Sequence, residues 1–262
     1  MMGLMQLNFD RLNRIEVAIE RLKTFEPPEG YYLANSGGKD SVVLEDLAKK
    51  AEVKFDSHHN MISMEPPETI QFLRQYYPNT FMDKPKRSFW EAMVKEGFPT
   101  SRARWCCREF KERGGEGRLV LTGVRWAESV RRTNRKMIET CRSFRTKRFL
   151  HPIIDWETNE IWEYVRENKL PLCKLYAEGR DRIGCILCPM VGTDKALADI
   201  ERFPKTAEAW HRTFIRRYNF AKEHNLTAAH RWTDAEALWH DWIYHRYESS
   251  LPDKDGLYPM FI

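Results

Sequence analysis

Apolar positions along the first patterned stretch, Leu7 to Leu22, fall at roughly helical spacing through Leu12, Ile15, Val17, Ala18 and Leu22, and Pro27-Pro28-Glu29-Gly30 stops it. A short, unbroken apolar run follows at Tyr31-Tyr32-Leu33-Ala34, the pattern of a strand buried on both faces. Helical spacing returns from Val42 to Ala51, and Val53-Lys54-Phe55 opens a second strand. Pro66 to Tyr77 predicts the next helix, with Pro66-Pro67-Glu68 suited to a first turn. Arg118 to Thr122 predicts a third strand closed by Gly123, Phe149 to Ile154 a fourth, and Thr158 an N-cap for a helix over Glu160 to Asn168. Strands alternating with helices predict an α/β fold: a mainly parallel twisted sheet with helices on both faces. Beyond Pro189 the strand pattern stops, and Asp194 to His245 predicts helices rich in Trp, Arg and His. The expected division is an α/β domain with an N-terminal helix over residues 1–193 and a helical C-terminal extension over 194–262.

Composition narrows this only a little. The 262 residues are 42% hydrophobic and 31% charged, as in ordinary globular proteins, with no internal repeat and no low-complexity segment. No apolar run approaches the roughly 20 residues that span a bilayer. Asp10, Arg11, Arg14 and Glu16 interrupt the N-terminal segment, which excludes a continuous signal core and makes the cytoplasm the expected compartment, with no membrane partner. A formal net charge of +5 suits an anionic ligand or a polynucleotide without selecting one. The six cysteines are more informative because they cluster: Cys106 and Cys107 are adjacent, Cys185 and Cys188 form a C-x-x-C pair, and Cys141 and Cys173 stand alone. In a reducing compartment that clustering points to metal or redox chemistry rather than disulfides.

Between the first strand and the second helix lies Ser36-Gly37-Gly38-Lys39-Asp40-Ser41. Two glycines let the backbone turn sharply and approach a ligand, and the helix that opens near Ser41 aims its unpaired N–H groups and positive end at the loop. Lys39 adds a point charge for phosphate, and Ser36 and Ser41 add hydroxyls. A plain Gly-Gly turn with an N-capping serine is the competing reading. The loop is not a Walker A motif, since position 33 is leucine, and it is not G-x-G-x-x-G.

It does resemble the PP-loop, S-G-G-K-D-S, of the adenine nucleotide α-hydrolase superfamily. That resemblance implies binding of ATP or an adenylyl sulfate, and many members cleave ATP between the α and β phosphates. Within the superfamily the chain resembles the phosphoadenosine phosphosulfate reductase family on several segments in order: Pro67-Glu68-Thr69; Gly123-Val124-Arg125 with Glu128-Ser129 and Arg132; Pro152-Ile153-Ile154-Asp155-Trp156; and Leu175-Tyr176 with Ile183-Gly184-Cys185. By that resemblance Gly123, Arg125, Glu128 and Arg132 join the loop in binding nucleotide. Arg125 and Arg132 follow a strand, on the rim where open α/β sheets bind ligands, and guanidinium forks match phosphate oxygens. A solvated basic stretch pairing with Glu128 is the alternative.

Cys106-Cys107 with Cys185-x-x-Cys188 is similar to the C-C…C-x-x-C pattern of the family's iron–sulfur branch, which implies a [4Fe–4S] cluster on those four residues, with Lys111 in its C-C-x-x-x-K position. A structural zinc, redox thiols and buried apolar cysteines remain alternatives. Sulfonucleotide reductases carry a nucleophilic cysteine in a motif like E-C-G-[IL]-H, whereas Pro189 to Ile262 contains no cysteine. The expected ligand therefore shifts from adenylyl sulfate towards ATP with Mg²⁺. The chain then resembles the ATP pyrophosphatase components of DNA phosphorothioation systems, which implies a DNA or RNA acceptor and a cysteine desulfurase or other sulfur donor. In that scheme Lys39, Asp40, Lys111 and Arg125 are the expected catalytic groups, and Asp40 orients the loop or Mg²⁺. Arg212, Arg216, Arg217, Lys222 and Arg231, interleaved with Trp210, Phe214, Tyr218, Phe220 and Trp232, suit phosphates and stacked bases, or else form a buried stripe with a wet face. A sulfonucleotide reductase and an idle nucleotide- and DNA-binding module are the other functions considered.

Overall fold

The computed structural model describes residues 14–141, 146–226 and 228–244. The first part of the expected N-terminal helix and the segment from His245 onward lie outside the described residues. Contacts group the chain into two compact units: residues 1–60, 67–83 and 113–183 in the first, and 61–66, 84–112 and 184–262 in the second.

In the first unit, helix α1 runs to residue 24. After it come β1 (Tyr31–Ala34), α2 (Lys39–Lys50), β2 (Phe55–Asn60), α3 (Pro67–Tyr76) and β3 (Phe81–Asp83). The second unit contributes α4 (Phe89–Glu96), and the first resumes with β4 (Leu119–Leu121), β5 (Ile138–Thr140), β6 (Arg148–Leu150) and α5 (Thr158–Glu167). The strands form one sheet in the order β3-β2-β1-β4-β6-β5, parallel except for β5, which runs antiparallel to β6. This is the α/β architecture that the alternating pattern predicts. Its core joins Leu33, Val43, Leu44 and Leu47 of β1 and α2 to Leu121, Leu150, Ile161 and Tyr164.

Several boundaries differ from the pattern for identifiable reasons. β2 begins at Phe55 and continues through polar residues to Asn60, because tertiary partners satisfy them: Ser57 donates to Glu45 (3.0 Å), and His58 sits between Asp56 (2.6 Å) and Asp83 (2.8 Å). β6 ends at Leu150, since the chain turns where the Ile154 N–H reaches the His151 carbonyl (3.2 Å). Thr158 is the first helical residue of α5 and not its cap; Glu157 holds that position in a reciprocal box with Glu160. The short strands β3 and β5, and helix α4, were not visible as apolar patterns.

The helical expectation after Asp194 is met in the second unit by α6 (Thr193–Arg202), α7 (Pro204–Glu223), α8 (Ala228–Arg231) and α9 (Ala235–Tyr244). Here the base-stacking idea is corrected. Trp210, Phe214 and Tyr218 are buried, and Trp210 stacks on Trp242 at 4.9 Å. Arg217 is 4% exposed and donates to the Val94 and Lys95 carbonyls at the end of α4 (3.0 and 3.2 Å). Trp210, Phe214, Tyr218 and Trp232 form a packed stripe, Phe220 is half-buried, and one of the basic residues is a helix-end clamp. No helix among the described residues is long and apolar enough to cross a membrane.

Candidate nucleotide site and cysteine cluster

The loop Ser36–Ser41 leaves β1 at its C-terminal end and opens α2, the place where parallel sheets bind ligands. Gly37 holds φ +71°, and a Cβ there would lie 2.8 Å from Thr69 Cγ2, so both conformation and space demand glycine. Gly38 is the N-cap of α2 with no side-chain cap, which disposes of the plain serine-capped turn. The Lys39 N–H instead donates to the Tyr176 hydroxyl (2.9 Å), a phenol that burial pushes up to about 12. Lys39 Nζ lies 5.8 Å from the Trp162 ring centroid and 5.9 Å from that of Tyr176, within cation–π range.

Beneath the loop is a residue that motif reading passed over. Asn35 is 1% exposed; its Oδ1 accepts from Gly37 N–H (2.9 Å) and Ser41 Oγ (3.2 Å), and its Nδ2 donates to Glu45 (2.8 Å). The signal available in sequence was only an amide at the end of a strand.

Asp40 and Arg125 have a different relation from the one expected. Arg125 is 1% exposed, with Nε on Asp40 Oδ1 (2.7 Å) and Nη1 on the Trp156 carbonyl (3.1 Å) and Thr158 Oγ1 (3.4 Å). The other oxygen of Asp40 meets Lys39 Nζ at 3.3 Å. Asp40 thus anchors two cations, Arg125 through one oxygen and Lys39 through the other. Gly123 permits this approach, since a Cβ there would stand 2.9 Å from the Asp40 carbonyl. Glu128 accepts from the Arg125 N–H (3.0 Å) and pairs with Arg132. Arg132 is held down at about 10, first by burial and then by Arg182 and Arg135, with Arg125 adding to the effect. Three of these guanidiniums already hold a carboxylate: Arg125 on Asp40, Arg132 on Glu128 and Arg135 on Glu139.

The second unit carries the four clustered cysteines. Cys107 to Lys111 form a π-helical turn, in which the Glu112 N–H reaches the Cys107 carbonyl at 2.8 Å. Cys107 is lowered to about 6, chiefly by a hydrogen bond from Cys106, with Lys111 assisting. Cys106 is raised by that same bond and by burial, and Cys107, Cys185 and Cys188 all act on it electrostatically. Lys111 hydrogen-bonds Cys185, whose thiol burial lifts to about 11. The Cys185–Cys188 turn has two tethers: Ile186 N–H to the Met64 carbonyl (2.8 Å) and Leu187 N–H to Asp199 Oδ2 (2.9 Å), with Leu187 at φ +57°. Asp199, 4% exposed on α6, has no motif signature. Among the described residues no group of three or more His, Cys, Asp or Glu is closed up around a single-ion position. Cys141 and Cys173 are buried thiols, as expected of unpaired ones.

The model of the phosphoadenosine phosphosulfate reductase domain matches residues 30–191, more than half of the chain. The chain belongs to that family. An uncharacterised protein of Methanocaldococcus jannaschii is 30% identical over 208 residues, covering 74% of this chain and 42% of its own length. A second from the same organism is 28% identical and is covered over 51% of its length, so this reductase-domain chain spans about half of these relatives or less. An adenosine 5′-phosphosulfate reductase of Oceanobacillus iheyensis is 27% identical over 62% of this chain and 72% of its own. The phosphoadenylyl-sulfate reductase of Candida auris, solved as a phosphate complex, shares the fold at TM-score 0.50 and 22% identity, covering 64% of this chain and 87% of that one.

Proposed function

We propose that this reductase-domain chain is an iron–sulfur PP-loop ATP pyrophosphatase that adenylates a nucleic-acid substrate for sulfur incorporation. The observation that carries the reading is the loop Ser36–Ser41 itself: it leaves β1 at its C-terminal end, turns at Gly37 with φ +71°, and opens α2 at an N-cap glycine with no side-chain cap, so the helix's first N–H groups and Lys39 are placed for an anion. Mg²⁺-bound ATP and adenylyl sulfate carry the same net charge, so the preference for ATP rests on the stretch from Pro189 to Ile262, which contains no cysteine to serve as the nucleophile of a sulfonucleotide reductase. Ser36, Gly37, Gly38, Lys39, Gly123 and Arg132 cradle the phosphates, while Asp40, Ser41, Arg125 and Glu128 hold that cradle in shape. An acceptor oxygen of DNA or RNA attacks the α-phosphorus, the bond to the β-phosphate breaks, and pyrophosphate leaves with its charge shielded by Lys39 and Arg132.

The cysteine chemistry fits an iron–sulfur group: four thiols share one compact unit, and the Lys111 ammonium on Cys185 offsets the charge of a four-thiolate shell. Cys106, Cys107, Cys185 and Cys188 are the ligands in this reading. A [4Fe–4S] cluster held by those residues would offer a place to hold or pass on sulfur, and a cysteine desulfurase or another donor is the partner this reading calls for.

The adenosine 5′-phosphosulfate reductase relative supports a second reading, reduction of a sulfonucleotide. Incubation with ATP and Mg²⁺, with and without DNA or RNA, separates the two. AMP and pyrophosphate are the expected products. Their absence, together with sulfite release from adenylyl sulfate and thioredoxin, replaces the first reading with the second. Absence of both leaves a non-catalytic nucleotide-binding module. Iron and acid-labile sulfide after anaerobic purification test the cluster, and a colourless protein holding zinc overturns it.

A further inference from the structure

A buried polar chain runs under the nucleotide loop. Asn35, Ser41, Glu45, Ser57 and Thr80 are all at most 7% exposed. Glu45 Oε1 takes Lys49 (2.8 Å), and its Oε2 takes both Asn35 Nδ2 (2.8 Å) and Ser57 Oγ (3.0 Å). Every partner donates to this carboxylate. The Ser57 proton is therefore committed to Glu45, so Thr80 is the donor in the Ser57–Thr80 contact at 3.1 Å. With its NH₂ bound to an acceptor, the Asn35 amide has only one orientation, which turns Oδ1 up into the loop. Oδ1 receives the Gly37 N–H, and the Ser41 proton has two inward acceptors, Asn35 Oδ1 (3.2 Å) and the Gly38 carbonyl (2.8 Å). Ser36 Oγ, on an exposed residue, accepts from the Gly38 N–H (3.3 Å) and, with the Ser41 proton turned inward, is the donor in the 3.2 Å contact to Ser41 Oγ until a ligand takes that proton, whereas Ser41 is 4% exposed. The two loop serines are thus not equivalent.

We propose that Glu45 is a positioning residue for the nucleotide loop: acting through the Asn35 amide, it sets the direction of the loop's hydrogen bonds so that Ser41 points its proton inward and Ser36 presents its hydroxyl to the ligand. The inference rests on the reading of Ser36–Ser41 as an adenine-nucleotide loop. It assigns the phosphate contact to Ser36 and a supporting role to Ser41, a distinction the motif itself does not make.

Asn35→Asp tests the direction without changing shape, because it sets a second carboxylate 2.8 Å from Glu45. ATP and adenylyl sulfate affinities are measured by calorimetry on the whole chain, beside thermal melting of the same variants. Asn35→Asp is expected to weaken binding at least tenfold. Glu45→Gln alone weakens it only a few-fold, since the glutamine oxygen can take the place of Oε2. The pair Asn35→Asp/Glu45→Gln restores binding to within a few-fold of the unsubstituted chain, because the glutamine NH₂ now donates to the new carboxylate. Ser36→Ala lowers affinity with melting unchanged, while Ser41→Ala lowers melting. Equal binding by Asn35→Asp and the unsubstituted chain, or an Asn35→Asp loss that Glu45→Gln does not recover, overturns the proposal. Failure of the unsubstituted chain to bind either nucleotide overturns the nucleotide reading instead; recovery of melting in the double variant would still register the coupling.

Discussion

Asp40→Ala isolates the largest single electrostatic commitment under the loop. The substitution removes the carboxylate that meets Arg125 Nε at 2.7 Å and leaves a guanidinium only 1% exposed. Removing one partner of a fully buried pair costs about 3–5 kcal/mol, because the remaining charge is stranded. Asp40 is 19% exposed, and Arg125 keeps the Trp156 carbonyl and Thr158, so the low end applies, about 3 kcal/mol. Adding Arg125→Met removes the stranded charge while filling most of its volume. What remains is mainly the unpaired Trp156 carbonyl, at about 1–2 kcal/mol. The double variant is therefore expected to be more stable than Asp40→Ala alone, by roughly 1 kcal/mol or more. Equilibrium urea unfolding at neutral pH measures this, with an unchanged slope as the condition for comparing midpoints. The losses should also vary little with salt, since the pair is shielded from counterions. A loss under about 0.5 kcal/mol for Asp40→Ala, or a double variant no more stable than the single, refutes the view of Asp40 as the counter-charge for Arg125.

Two further outcomes follow from other parts of the molecule. His151 is fully buried, with Nδ1 2.6 Å from Thr122 Oγ1, and burial lowers it from 6.5 to about 4. Between those values the unfolded chain binds a proton that the folded chain refuses. Stability is thus fully present above about pH 6.5 and falls as pH drops towards 4, by about 2 kcal/mol between roughly pH 7 and pH 5. Urea midpoints for His151→Asn should lose that part of the slope, and an unaltered slope contradicts the assignment. In the second unit, Asp199→Ala deprives the Leu187 N–H of its acceptor in the Cys185–Cys188 turn, at a cost of about 1–3 kcal/mol. The reactivity of the turn's thiols should rise; equal thiol reactivity would show that the tether is dispensable.

The glycine loop, the alternation of strands and helices, and the paired cysteines were all legible because each is a local pattern. A tight turn needs Gly37 at positive φ, a buried parallel strand needs a run like Tyr31–Ala34, and thiols at C-x-x-C spacing share one turn. β2 was less legible, since Asp56, Ser57, His58 and His59 look like loop until Glu45, Asp83 and the Asn35 carbonyl are there to satisfy them. The Trp210, Phe214 and Arg217 pattern was ambiguous for the same reason: helical spacing identifies a face but not what covers it.

The amino-acid sequence by itself determined the α/β class, the family and the glycine loop between β1 and α2, all of which rest on residues close together along the chain. Only the tertiary structure decided that Asp40 anchors Arg125 and Lys39, that Asn35 and Glu45 lie beneath the loop, and that Asp199 ties down a cysteine turn. Those roles depend on burial and on partners up to 85 residues apart, as for Arg125 and Asp40. A charge or an amide acquires its meaning from what it is buried against, and no spacing along the chain encodes that.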